Sequence, residues 1–502
     1  MKKISSLGIC LLLCACAAKE KSQLITEPEA NLEGQGLVGK LPNEMQETES
    51  MNTNPSSFEN HNYNLKTLSN GLQVYTVEKP DIPMVTILIA VKNGAFVETP
   101  DIDGLAHLYE HMFFKANEQV PSQAEFIKIL DEMGVELGPN MNAYTSTESV
   151  RYFYTLQSRY LDRGIEFLAD AVKAPKFLQD ELENERKVVI GEFDRYEASP
   201  TQVFYQKDVM EKMFSTYFTR KNTIGSREVI LAATPEQMHS IQHRFYIPNN
   251  AALFIVGAYD EATLWPSIER NFGTWEAGQD PFVQNPIPEH PAINETQTFT
   301  KNAEVQNANV VQAYQGPKQG IDNKESISFD LLSIMLGLED SAFQKELVHS
   351  GLASNAGFFS WSQRYTSPLF FNLEASSDKA QVAYAKMKEL IERLANGQDI
   401  NEKDFETAKI STEVRSAYDR ESGQHYALGL ADVWSSTGAL DYYTNYVSLM
   451  KSITLDEFKN SLRKYLKDQA YVGGALVPEG QAPIDFLLAQ KNLAPNQIEE
   501  GK

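Results

Sequence analysis

Cysteine is nearly absent from this chain: three in 502 residues, at positions 10, 14 and 16. Everything beyond position 16 therefore lacks both a disulfide framework and a thiol ligand. That excludes a cystine-stapled fold and a cysteine-rich structural zinc site. Cations are scarce as well, with 45 Lys and Arg against 68 Asp and Glu, a formal net charge of −23. An acidic chain without a basic stripe argues against nucleic acid as a partner. The acidity is compatible with cationic peptides, though solubility explains it equally well. No apolar run reaches the roughly 20 residues that a membrane-spanning helix needs. Histidine is rare too, eight in all, so two of them close together carry information.

Such a pair is His107-Leu-Tyr-Glu-His111. On a helix, residues i and i+4 lie about 6 Å apart along the axis and within roughly 40° of each other around it, so both imidazoles reach one divalent metal. Glu110 falls roughly 60° to the other side of His107, beside a metal rather than on it. That is the place for a group that takes a proton from water. The pattern is H-x-x-E-H, the reverse of the more familiar H-E-x-x-H. A second pair, His239-Ser-Ile-Gln-His243, has no carboxylate between its histidines and reads as a solvated helix face.

A catalytic zinc site usually takes three protein ligands and leaves one position to water. The acidic segment Leu182–Phe193 offers Glu185 and Glu192, which share one helix face across two turns. Glu181, Glu183 and Asp194 point elsewhere. Spacing alone does not choose between Glu185 and Glu192.

The chain resembles the pitrilysin-type (M16) zinc peptidases, whose members include mitochondrial processing peptidases and insulin-degrading enzyme. The resemblance is carried by Asp103–Lys115 around the histidine motif, by Asn142-Ala-Tyr-Thr-Ser146 and by the Glu185/Glu192 helix. Tyr246–Ala251 followed by Phe254-Ile-Val-Gly257 extends it. It implies that His107, His111 and Glu192 bind one zinc ion, that Glu110 is the general base, and that Glu185 supports a ligand from behind. It implies further that Asn142 holds the substrate backbone. Two imidazoles and one carboxylate leave zinc a net positive charge, able to lower the pKa of its water to about 7 and polarise a peptide carbonyl.

At the N-terminus Lys2 and Lys3 precede a short apolar run from Leu7 to Ala18, which reads as a signal-peptide core. Leu13-Cys-Ala-Cys16 resembles a bacterial lipobox, implying removal of residues 1–15 and acylation of Cys16. Loss of two lysines and no acid then moves the net charge from −23 to −25. The acyl chains would anchor the protein to a membrane, and Ala17 favours sorting to the outer membrane, facing the periplasm. Residues 16–60 are polar and read as a disordered tether.

Folded structure is expected as an α+β architecture of two similar α/β domains, each a mixed or antiparallel sheet flanked by helices. A hairpin forms around Asn70-Gly71, and Met84–Val91 reads as a buried strand. Helices are expected near Ala124–Met133 and Arg159–Val172, with one strand through Asn142–Leu156. Thr234-Pro-Glu opens a helix that leads into the apolar strand Ala252–Gly257; Thr454-Leu-Asp-Glu opens another that leads into Tyr471–Val477. These units lie roughly 220 residues apart and mark an internal repeat. With the Pro-rich stretch Asp280–Pro291 as the joint, a zinc-binding domain is expected at 61–278, a linker at 279–300, a second domain at 301–485 and a tail at 486–502. Mapping the histidine helix forward lands on Phe329–Gly337, without histidine, so the second domain is expected to carry no metal.

Family chains of this length form half of a clamshell. The resemblance thus implies a homodimer, or a heterodimer with a second M16-like chain. Family members use an Arg and a Tyr from a non-zinc domain to bind substrate; Arg364-Tyr365 is the nearest candidate, with a strand-entry pair as the alternative. The expected activity is zinc-dependent endopeptidase action on peptides or unfolded segments in the cell envelope. The alternative is an inactive M16-like scaffold subunit, for which retention of Glu110 beside the metal is unnecessary.

Overall fold

The computed structural model describes residues 63–216, 222–287 and 289–487. The signal segment, Cys16, the tether and all but the first residues of the tail lie outside them. Among the described residues no helix is long and apolar enough to cross a membrane.

Asn70-Gly71 reverses the chain between β1 (Asn64–Thr67) and β2 (Gln73–Glu78), which pair antiparallel. Gly71 has φ 90°, a left-handed value that glycine adopts without a Cβ penalty, and Asn70 Oδ1 accepts the Leu72 N–H at 3.2 Å. The apolar run Met84–Val91 is β3, buried along nearly all its length. Helix α1 (Leu105–Met112) carries the histidine motif and α2 (Gln123–Glu132) follows it. The stretch expected as one strand through 142–156 is a hairpin instead: β4 (Met141–Thr145) and β5 (Val150–Gln157) pair antiparallel. The polar run Ser146–Ser149 breaks it, because Ser146 Oγ accepts the N–H of Ser149 at 3.0 Å and that of Glu148 at 3.3 Å. Short hydroxyl side chains that bond their own backbone favour turns over ladders.

Helix α3 (Leu161–Lys173) buries Leu161, Ile165, Leu168 and Val172, and a 3-10 turn, Ser158–Tyr160, supplies the start that had been expected as helix. Helix α4 (Gln179–Glu197) contains the acidic segment; the helix Pro235–Phe245 then opens with a complete capping box from Thr234 and Gln237. It leads into β6 (Ala251–Gly257), buried throughout. The first sheet runs β1-β2-β6-β3-β5-β4, with β4 at its edge.

The second half repeats this plan with β7 (Gln297–Ala303), β8 (Ala308–Gln315), β9 (Asn355–Ser360), β10 (Pro368–Ala375) and β11 (Val472–Pro478), in the order β7-β11-β8-β10-β9. Helix Leu455–Leu466 has its own capping box, Thr454 with Glu457, and leads into β11. Strand β6 is parallel to β2 and antiparallel to β3; β11 is parallel to β7 and antiparallel to β8. The two helix–strand units read as a repeat thus hold the same topological position in two α/β sheets.

Each half also covers the other's sheet. Helix Gly423–Thr437 lays Tyr426, Leu430 and Trp434 on Tyr75, Leu88, Phe153 and Phe254 of the first sheet, and Trp434 donates to Gln73 Oε1 at 2.7 Å. In return Phe204, Met210, Met213 and Phe214 pack on Val311, Phe370 and Leu476 of the second. At about 1.5–3 kcal/mol for each buried large apolar side chain, either patch stabilises the pairing by several kcal/mol. The described residues accordingly form one compact unit.

Candidate metal centre

Seven of the eight residues of α1 are buried, so this short helix is held by its surroundings rather than by propensity. Its N-terminus is built from a carboxylate and two glycines. Glu98 accepts the Gly104 N–H at 3.0 Å and the Ala106 N–H at 2.8 Å, satisfying donors that the helix leaves free and placing an anion at its positive end. Gly104 (φ 94°) and Gly225 (φ 76°) press together: a Cβ on Gly225 would lie 2.2 Å from the Gly104 Cα. Ser226 N–H donates to Asp103 O at 3.1 Å alongside. Gly225→Ala is therefore expected to lower stability by at least about 1–3 kcal/mol, the usual scale of left-handed strain, with backbone overlap added. Denaturant unfolding of the metal-free protein measures this; an unchanged midpoint would refute the close-approach argument.

Helix α4 packs against α1 and buries Leu182, Glu185, Val189, Glu192, Phe193 and Tyr196 along one face. Two carboxylates on an otherwise apolar face need partners. Glu192 Oε2 lies 3.6 Å from His107 Nε2 and 3.6 Å from His111 Nε2, and those two nitrogens are 3.3 Å apart. A tetrahedral zinc with ligand atoms about 2.0–2.1 Å away sets those atoms about 3.3–3.4 Å from one another. The triangle fits that ion. Glu192 Oε2 is buried without a hydrogen-bond partner, as is His107 Nδ1, so the carboxylate oxygen is left open to a cation. Among the described residues, this is the group of three potential ligands whose donor atoms come within 4.8 Å of one another.

The protonation states suit a metal. Burial, reinforced by the adjacent His111 ring, pushes His107 down to about 3, so its imidazole is neutral at ordinary pH. Burial opposes ionisation of Glu192, but His111, His107 and Arg195 outweigh it and hold the carboxyl below its usual value. Glu185 behaves alike: burial raises it, and the contacts with His111 and Lys115 bring it lower overall. Glu185 Oε1 lies 2.8 Å from His111 Nδ1 and Oε2 lies 2.5 Å from Lys115 Nζ. With Nδ1 protonated toward Glu185, the lone pair of His111 sits on Nε2, inside the triangle.

Glu110 is buried on α1, outside the triangle, and its Oε2 accepts the Thr145 hydroxyl at 2.5 Å. Thr145 ends β4, whose ladder partner is β5. Asn142 sits near the start of that edge strand, partly buried, its Oδ1 accepting the Ala143 N–H at 2.9 Å. Arg364 and Tyr365 lie in the loop before β10 and brace the β4–β5 turn: Arg364 N–H donates to Glu148 Oε1 at 2.9 Å, and Tyr365 meets Phe96 at 5.9 Å. His239 bonds Gln242 at 3.1 Å and is not part of the metal group. Sequence reasoning passed over Lys115, Thr145 and Glu98. The first two lie within Asp103–Lys115 and Asn142–Ser146, but only tertiary contacts reveal what they touch.

The family model described as "Insulinase (Peptidase family M16)" matches residues 73–226, and that described as "Peptidase M16 inactive domain" matches residues 232–412. An "Uncharacterized zinc protease" of Rickettsia felis is 26% identical over 359 residues, spanning 71% of this chain and 82% of the relative. "Zinc protease PqqE" of Helicobacter pylori is 25% identical over 415 residues, 80% and 90% of the two chains. Among solved structures, a protease from Helicobacter pylori superposes with a TM-score of 0.76 at 23% identity, covering 83% of this chain and 99% of its own. The periplasmic protease PqqL from Escherichia coli gives 0.68 at 20% identity, covering 84% of this chain and 48% of its own.

Proposed function

The chain belongs to peptidase family M16, and from that premise we propose that it is a zinc-dependent endopeptidase cutting peptides or unfolded protein segments in the bacterial cell envelope. The observation that carries the reading is the triangle of His107 Nε2, His111 Nε2 and Glu192 Oε2, with edges of 3.3, 3.6 and 3.6 Å, beside Glu110. Zinc held there supplies a Lewis acid for the peptide carbonyl and makes water a nucleophile near neutral pH. Glu110 takes the proton of the attacking water and returns it to the leaving amine, its carboxylate oriented by the Thr145 hydroxyl. Glu185 fixes the ring of His111. The envelope location is supported by the lipobox-like Leu13–Cys16 and by the fold shared with a protease described as periplasmic. The lipid on Cys16 tethers the chain to the outer membrane. A second M16-like chain, identical or not, closes the chamber.

Substrate lies along β4. Being an edge strand beside α1, it can accept an extended peptide through main-chain hydrogen bonds, with Asn142 at its start holding the backbone. The readout is one target protein offered in native and in stably unfolded form to the lipid-free enzyme with its partner chain. Cleavage confined to the unfolded form is expected. Equal cleavage of both, at sites buried in the native fold, would rule out strand addition.

A further inference from the structure

Lys115 lies four residues beyond His111, and its ammonium is almost wholly buried, with 7% of the side chain exposed. A buried cation is costly unless paired, and one set beside a site for a divalent ion is repelled by that ion as well. Among the described residues its close anchor is Glu185: Nζ is 2.5 Å from Oε2, while Oε1 of the same carboxylate accepts the His111 Nδ1–H at 2.8 Å. Three side chains on two segments thus form a chain in which the lysine grips one oxygen and the histidine the other.

We propose that Lys115 is a positioning residue for the metal centre, locking Glu185 so that its free oxygen holds the His111 ring in the orientation and tautomer that present Nε2 to zinc. This rests on the zinc reading above. An unanchored Glu185 could turn its carboxylate about the terminal torsion, which is soft and has no strongly preferred angle. His111 would then lose its fixed donor direction. Glu192, with an oxygen directed between the two Nε2 atoms, would be left to hold a ligand whose ring can swing.

The two physical roles open to Lys115 have opposite signs, which makes the question decidable. As a bare charge it repels the metal, and its removal tightens zinc. As an anchor it preorganises a ligand, and its removal weakens zinc by the roughly 10- to 100-fold that loss of support behind a metal-binding histidine produces. Zinc dissociation constants, measured by competition with a chromophoric chelator, would be compared for the wild type, K115M, K115Q, E185Q and K115M/E185Q. Each metal-free protein is melted first, so that a fold defect is separated from a change in affinity. About tenfold weaker binding is expected for K115M, with less than about threefold further loss when the same change is made in E185Q. K115Q drops the charge but keeps an N–H donor, and is expected to bind more tightly than K115M; it carries the comparison with E185Q if K115M does not fold. Equal or tighter zinc in K115M, or losses that simply add in the double variant, overturn the proposal. A wild type that binds no zinc fails the functional reading itself, a distinct result.

Discussion

Replacing Glu110 with glutamine is expected to leave zinc bound and to lower peptide hydrolysis by about 10²- to 10⁴-fold, the usual contribution of a positioned general base. Size and shape are almost unchanged, and the Thr145 hydroxyl retains an acceptor in the amide oxygen. His107, His111 and Glu192, whose donor atoms form the triangle, are not altered. What disappears is the ability to take a proton. Metal analysis alongside hydrolysis of an unfolded protein separates the two effects. Wild-type turnover in a fully zinc-loaded variant would remove Glu110 from the chemistry.

The second large effect distinguishes two carboxylates on one helix face. Glu192→Ala is expected to strip zinc at neutral pH, because the oxygen that lies 3.6 Å from both Nε2 atoms is gone and two imidazoles remain. Glu185→Ala keeps all three donor atoms but loses the carboxylate that holds His111 Nδ1, so zinc should weaken by about 10- to 100-fold. Glu185→Ala also leaves Lys115 buried without its carboxylate, which is expected to lower the melting temperature of the metal-free protein. Zinc titration by calorimetry orders the two variants. The reverse order would exchange their roles.

What was legible in the sequence was what is local. The i, i+4 spacing put both imidazoles on one helical face, and the structure sets their Nε2 atoms 3.3 Å apart. Periodicity found α3, a continuous apolar run found β3, and the Thr234 and Thr454 caps found the repeat that became two sheets matching in order apart from the extra edge strand β1. The choice between Glu185 and Glu192 was not local. Both sit on the buried face of α4, and the difference arises from how far along α1 each one meets it. The hairpin hidden in 142–156 was missed because β-rich residues flank a four-residue turn whose hydroxyls bond their own backbone. The exchange of helices between the sheets was invisible for a different reason. Helix Gly423–Thr437 is apolar enough to be buried, but nothing in its spacing says which sheet will cover it.

The central claim is that one zinc, held by His107, His111 and Glu192, is what makes this chain a peptidase. It is tested most directly by adding zinc stepwise to the metal-free protein, with the proposed second M16-like chain present, while following both bound zinc and cleavage of an unfolded protein. Cleavage is expected to be absent at the start, to rise in proportion to zinc bound and to stop rising at one ion per chain. Cleavage by the metal-free protein, or a site that fills while no cleavage appears, would contradict it.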